Sequence, residues 1–188
     1  MVCGAVTGKL QANIPFKVDI MLIISPTAKI SKWADIEDSV RGSTIEIGDG
    51  VSIDSFVKIK PAGGSGDLRI GANTVINPGV VIYTGNGISI GCNVLIAANC
   101  VFSSASHEFR SRDKLIREQG FITPSPLFVV RRGILIEDDV WLGANCVILE
   151  GTHIKKGAVI SAGSVVRGSL EEYGIYSGTP LKCFGYRR

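Results

Sequence analysis

Histidine is almost missing from this sequence, with two in 188 residues. That shortage excludes a zinc centre built on three imidazoles around an open position, as a γ-class carbonic anhydrase would need. Long apolar runs are missing as well. The longest, Ile20-Met21-Leu22-Ile23-Ile24, falls far short of the ~20 residues that span a bilayer as a helix, so a transmembrane protein is not expected. Charge of one sign is scarce: the net value is +3 and no basic stripe is interleaved with aromatics, which argues against a nucleic-acid partner. The five cysteines are odd in number and lack CxxC spacing, so neither a disulfide framework nor a cysteine metal site is indicated. No charged n-region followed by an apolar h-region opens the chain. Together these features give the expectation of a cytoplasmic protein with free thiols and no metal.

What the sequence does have is glycine, 23 residues of it, within a composition that is 45% hydrophobic and 7% aromatic. This suits a β-rich fold with many tight turns. A period of six organises it. Ile136, Leu142, Ile148, Ile154, Ile160 and Val166 follow one another at every sixth place, and smaller residues (Val140, Cys146, Thr152, Ala158, Ser164) stand four places after the first five. Six fits neither the 3.6 period of a helix nor the 2.0 of a strand. It fits a solenoid in which three short strands close one triangular coil and coils stack at the ~4.8 Å spacing of a sheet. An ordinary α/β domain would hold five units in register only by coincidence. The fold class expected is therefore all-β, a parallel β-helix.

Fainter units begin at Ile30 and Ile36, pause over Gly42 to Glu46, and resume at Ile47 and Ile53. A glycine-rich excursion, Pro61-Ala62-Gly63-Gly64-Ser65-Gly66, is read as a surface loop. Pairs follow from Ile70 and Ile76, then from Ile90 and Ile96. The expected organisation is an N-terminal cap over 1–29, a β-helix over 30–166 with an inserted loop at about 103–133, and a capping segment over 167–188. Caps are needed because a bare terminal coil exposes its core and its unpaired strand edges. The loop carries Arg110, Arg112, Lys114, Arg117, Arg131 and Arg132, and a greasy tip at Phe121-Ile122 and Leu127-Phe128. Loops of this length in a compact array are usually functional, and the tip is expected to pack on a neighbouring subunit.

The hexapeptides, a His at the root of the long loop, the Asp139-Val140-Trp141-Leu142-Gly143 run and the closing Gly178-Thr179-Pro180 resemble the hexapeptide-repeat acetyltransferases. The resemblance covers about residues 70–185 and lies nearest the galactoside and maltose acetyltransferase branch and relatives that acetylate surface polysaccharides. It implies a left-handed helix, a homotrimer with active sites between subunits, and acetyl-CoA as co-substrate. The right-handed rule for parallel crossovers would have argued for the opposite hand. The N-terminal helical segment of that branch is not recognisable in residues 1–40, so its sugar is not carried over.

Acyl transfer from a thioester needs a base, oxyanion donors and a groove for the carrier. Imidazole suits the base at neutral pH. His107, where the coil leaves the prism, occupies the place of the family's catalytic His; His153, at the sixth place of a unit, is read as a solvated surface residue. Asn77 precedes His107 by thirty residues, matching an acceptor-binding Asn of the galactoside enzymes, and equally suits a turn before Pro78. Trp141 stands at an outward place where an indole should face something apolar; the resemblance sets it by the thioester arm. Ala144 and Ala162 fall where the family offers backbone groups to pantetheine, though any tight coil wants Ala. Arg167 and Lys182 fall near the phosphate end of coenzyme A, where a cation suits a phosphate; each is equally a solvated charge. No G-x-S-x-G elbow accompanies Ser106-His107, and Cys100 and Cys146 should point inward, so a covalent acyl-enzyme is not expected. The expected reaction is O-acetylation of a sugar or polysaccharide precursor. N-acetylation of an amino sugar, acetylation of an antibiotic hydroxyl, and a non-catalytic β-helix binding module remain alternatives.

Overall fold

The computed structural model describes residues 21–37, 42–122 and 133–188. Strands of two to five residues alternate around three faces of a prism. The first face stacks Met21–Ile24, Thr44–Ile47, Leu68–Ile70, Ile88–Ile90, Ile134–Ile136, His153–Ile154 and Ser169–Leu170. The second stacks Lys29–Ile30, Ser52–Ile53, Val75–Ile76, Leu95–Ile96, Trp141–Leu142, Val159–Ile160 and Gly174–Ser177, and ends on Lys182–Tyr186. The third stacks Asp35–Ile36, Lys58–Lys60, Val81–Tyr83, Val101–Ser103, Val147–Leu149 and Val165–Val166. Every pairing is parallel except the last of the second face.

The six-residue period sets this up. Ile136 pairs with Ile154, Leu142 with Ile160 and Ile148 with Val166, one pair to a face. All six are at most 1% exposed, and the small residues four places on (Val140, Cys146, Thr152, Ala158, Ser164) are buried with them. From Thr44 on, the corners that enter and leave the second face each turn through one left-handed residue. Between the first and second faces this is Gly50, Asn73, Asn93, Asp139, Gly157 or Tyr173; between the second and third it is Phe56, Gly79, Asn99, Asn145 or Gly163. Gly and Asn dominate because they visit that region at least cost.

The prism is longer than its hexapeptides. Met21–Ile24 pairs in register with Thr44–Ile47, so the first coil begins inside the segment read as a cap; the rest of that segment, 1–20, lies outside the described residues. At the other end the coil runs past Val166 to Ser177, because Leu170 and Tyr176 keep the inward places filled although the step after Val166 shortens. The chain then reverses, and Lys182–Tyr186 pairs antiparallel with Gly174–Ser177. Arg187 fastens this tail: its Nη1 donates to the Gly157 carbonyl at 2.9 Å and pairs with Asp139 Oδ2 at 3.0 Å.

Candidate functional site

His107 sits where the third face gives way to the first, four residues after the Val101–Ser103 strand. Its backbone bridges Phe121 in antiparallel fashion. Flanking bonds from Glu108 N to Gly120 O (3.0 Å) and Ile122 N to Ser106 O (2.8 Å) zip the loop shut at its root. Further out, Gln119 Nε2 donates to the carbonyls of Ser111 and Lys114. Arg110, Arg112, Lys114 and Arg117 are all exposed on this excursion, and Arg110 pairs with Glu108 at 3.5 Å. Arg131, Arg132, Leu127 and Phe128 lie outside the described residues.

The His107 imidazole is exposed and rests against the Phe121 ring, centroids 4.3 Å apart. Among the described residues no side chain hydrogen-bonds it. Beside the pair lies a hollow of about 290 Å³, lined by Gly63, Gly64, Gly66, Asn86, Phe121 and Ile122 among others. Its floor is glycine for a steric reason. A Cβ on Gly66 would lie 1.9 Å from the Gly87 nitrogen of the next coil. What the floor presents is therefore backbone.

Most of the other candidate residues lie away from the edge that carries His107. Trp141 points outward from the second face, 49% exposed, in register between Leu95 and Val159. Ala144 and Ala162 form the corner from the second face to the third on successive coils, joined by Gly163 N to Ala144 O at 2.8 Å. Asn77 opens the same corner on an earlier coil; its Nδ2 donates to the Ile96 carbonyl at 2.8 Å, which leaves Oδ1. Lys182 is exposed on the antiparallel strand opposite Ser177. Arg167 returns to the third-to-first corner, where it pairs with Glu150. The third face thus separates His107 from Trp141, Ala144 and Ala162, and one chain does not bring them together.

One contact escaped the sequence. His153, read as a solvated surface residue, lies on a first-face strand and its Nε2 meets Glu137 Oε1 at 2.6 Å with both side chains about one-third exposed. Partial burial alone would raise the Glu137 carboxyl; the bonds from His153 and from the Lys156 amide outweigh it and hold it below its usual range. The partners are 16 residues apart, one coil in space, and a carboxylate two places short of an 18-residue coil repeat was the available signal. Cys100 and Cys146, by contrast, are inward and fully buried as expected. The neighbouring Cys146 thiol, then burial, push the Cys100 thiol up. Among the described residues no group of three or more His, Cys, Asp or Glu is placed to hold a metal, and no helix is long and apolar enough to cross a membrane.

Residues 133–168 match the family model described as bacterial transferase hexapeptide (six repeats). The chain is 31% identical over 142 residues to WbbJ, a putative lipopolysaccharide biosynthesis O-acetyl transferase of Escherichia coli (strain K12), covering 75% of this chain and 68% of that one. It is 31% identical over 159 residues to a probable acetyltransferase of Mycobacterium tuberculosis, of which it spans half the length. Among solved structures, the N-acyltransferase AntD from Bacillus cereus, in complex with dTDP and 3-hydroxybutyryl-CoA, superposes with a TM-score of 0.71 at 22% identity, covering 92% of this chain and 86% of that one. A hexapeptide-repeat acetyltransferase from Vibrio cholerae O1 biovar eltor, complexed with acetyl coenzyme A, is 35% identical with a TM-score of 0.56 over 64% of this chain and 61% of that one. The prism is accordingly the left-handed parallel β-helix, and the chain belongs to the hexapeptide-repeat acetyltransferase family.

Proposed function

We propose that the protein transfers an acetyl group from acetyl-CoA to a hydroxyl of a sugar or polysaccharide precursor, with His107 as general base. One observation carries this reading: an exposed imidazole that no side chain among the described residues hydrogen-bonds, resting on Phe121 beside a glycine-floored hollow, on a different edge from Trp141, Ala144 and Ala162. In a homotrimer, the His107 edge of one subunit would face the Trp141 edge of the next, and the active site would lie between them. The acetyl coenzyme A complex of the Vibrio relative supports the choice of donor, and WbbJ supports a hydroxyl acceptor.

In the reaction, the neutral imidazole takes the acceptor O–H proton as that oxygen attacks the thioester carbonyl carbon. The C–S bond then breaks, the thiolate of coenzyme A leaves, and the imidazolium returns the proton to sulfur. A direct ternary complex is favoured because Cys100 and Cys146 are sealed in the core. Pantetheine would lie along the corner of Ala144 and Ala162 beside Trp141, with Arg167 and Lys182 toward the phosphates and Asn77 toward the acceptor. These buried free thiols suit a reducing compartment, and the cytoplasm is the location this reading implies.

The test is release of free coenzyme A thiol from acetyl-CoA with a panel of sugars and nucleotide sugars. His107→Ala should lower turnover by about 10²–10⁴, the usual worth of one general base, while acetyl-CoA affinity stays nearly intact. Near-normal turnover of the variant, or ping-pong kinetics with a trapped acetyl-enzyme, would overturn the proposal.

A further inference from the structure

A second hollow on the described surface is one that the transfer reaction leaves unused. It is a groove of about 550 Å³ along the first face. One outward column runs through it, Arg69, Ser89, Leu135 and His153, each paired in register with the next. Successive coils are ~4.8 Å apart, so the column spans roughly 14 Å, longer than a single sugar ring. Its upper wall is the third-to-first corner, where Gly66 and Asn86 belong both to this groove and to the hollow beside Phe121. The groove is therefore continuous with the ring that supports His107.

Its chemistry is that of a neutral, hydroxyl-rich ligand. The floor is glycine backbone and the Leu135 side chain; the rim offers a hydroxyl, an amide, an imidazole and a guanidinium. Each charged member is already engaged: Arg69 pairs with Glu46 at 3.4 Å, Asp67 accepts from the Thr44 amide at 2.8 Å, and His153 is held by Glu137 at 2.6 Å. Three carboxylates around one guanidinium disfavour a polyphosphate, which would call for an excess of cations. The Glu137 contact fixes the His153 ring, so its other nitrogen is presented in a set direction.

Resting on the acceptor reading above, we propose that this groove is a saccharide subsite, which holds the sugar units flanking the acetylated one when the acceptor is an oligosaccharide. His153 is its recognition side chain. The acceptor class preferred is then a chain of several sugars rather than a single sugar or nucleotide sugar.

Because the sequence has two histidines, imidazole NMR reports on each site separately. The full-length protein, labelled with ¹⁵N-histidine and assigned through His107→Ala and His153→Gln, is titrated with glucose, galactose and N-acetylglucosamine, each as monomer and as tetramer. At least one tetramer should shift His153 saturably, with about tenfold or greater affinity over its monomer. Ser89→Trp, at an exposed place, should remove the His153 response by filling the groove, with circular dichroism confirming the fold. A tetramer that moves His107 but not His153, or a monomer as effective as its tetramer at both, overturns the subsite and leaves the acceptor reading standing. If no saccharide moves either histidine or supports thiol release, the acceptor reading fails together with the subsite.

Discussion

Leu142 shows how little latitude a single residue has in so thin a prism. Its side chain is fully buried and lies in register between Ile96 and Ile160 on neighbouring coils. The interior is one side chain deep from each face, so no second layer exists to absorb a polar group. Leu142→Asp would set an unpaired carboxylate there, and the expected loss is about 4 kcal/mol or more. Leu142→Ile, which keeps the volume, should cost less than about 1.5 kcal/mol. Denaturant melts of the two variants check the register: an Asp variant as stable as the parent would mean that Leu142 does not face inward.

At the scale of the element, the corner deserves more weight than the strands, which are mostly two or three residues long. Phe56 occupies a left-handed corner at φ 63°, where later coils carry Gly79, Asn99, Asn145 and Gly163, and its ring is 64% exposed. A bulky L-residue in that region costs roughly 1–2 kcal/mol. Phe56→Asn should therefore stabilise the protein by about 1 kcal/mol, a rise of about 2–4 °C in Tm for a chain of this size. A lower Tm would show instead that the ring is covered in the assembled protein. Such corners also mark how far the sequence could be read. Inward places were legible from Ile136 to Val166 because burial repeats every sixth residue, and the loop root at His107 was legible because the repeat stops there. Outward partnerships were not: Glu137 with His153, or Asn77 with the Ile96 carbonyl, join residues a coil apart whose side chains obey no period. The first coil at Met21–Ile24 was missed because its strand carries a continuous apolar run and no hexapeptide follows it until Ile30.

For the whole molecule, the proposed reaction, with His107 and the Trp141 edge held apart in one chain, would make activity a property of the assembly. His107→Ala and Ala162→Trp, the second placing bulk on an exposed corner, should each be inactive alone. Co-expressed in equal amounts, they should form mixed trimers in which about one site in four joins an intact His107 edge to an intact Ala162 edge. Recovery of about a quarter of parental activity, with light scattering showing three chains, is the expected outcome. No recovery in mixed assemblies would show that the catalytic parts come from one chain.

The antiparallel strand Lys182–Tyr186 has a consequence for the fate of the molecule in a crowded solution. A stack of parallel rungs is a template that any like chain could continue, one rung upon the last, in the manner of a growing fibril. Gly174–Ser177 would be the growing end on the second face. By doubling back across it, with Arg187 locked to Asp139 and Gly157 on the adjoining corner, the chain occupies that end with a strand running the wrong way for another parallel rung to follow. The tail is a terminator: the same parallel stacking that builds the prism is kept from becoming polymerisation.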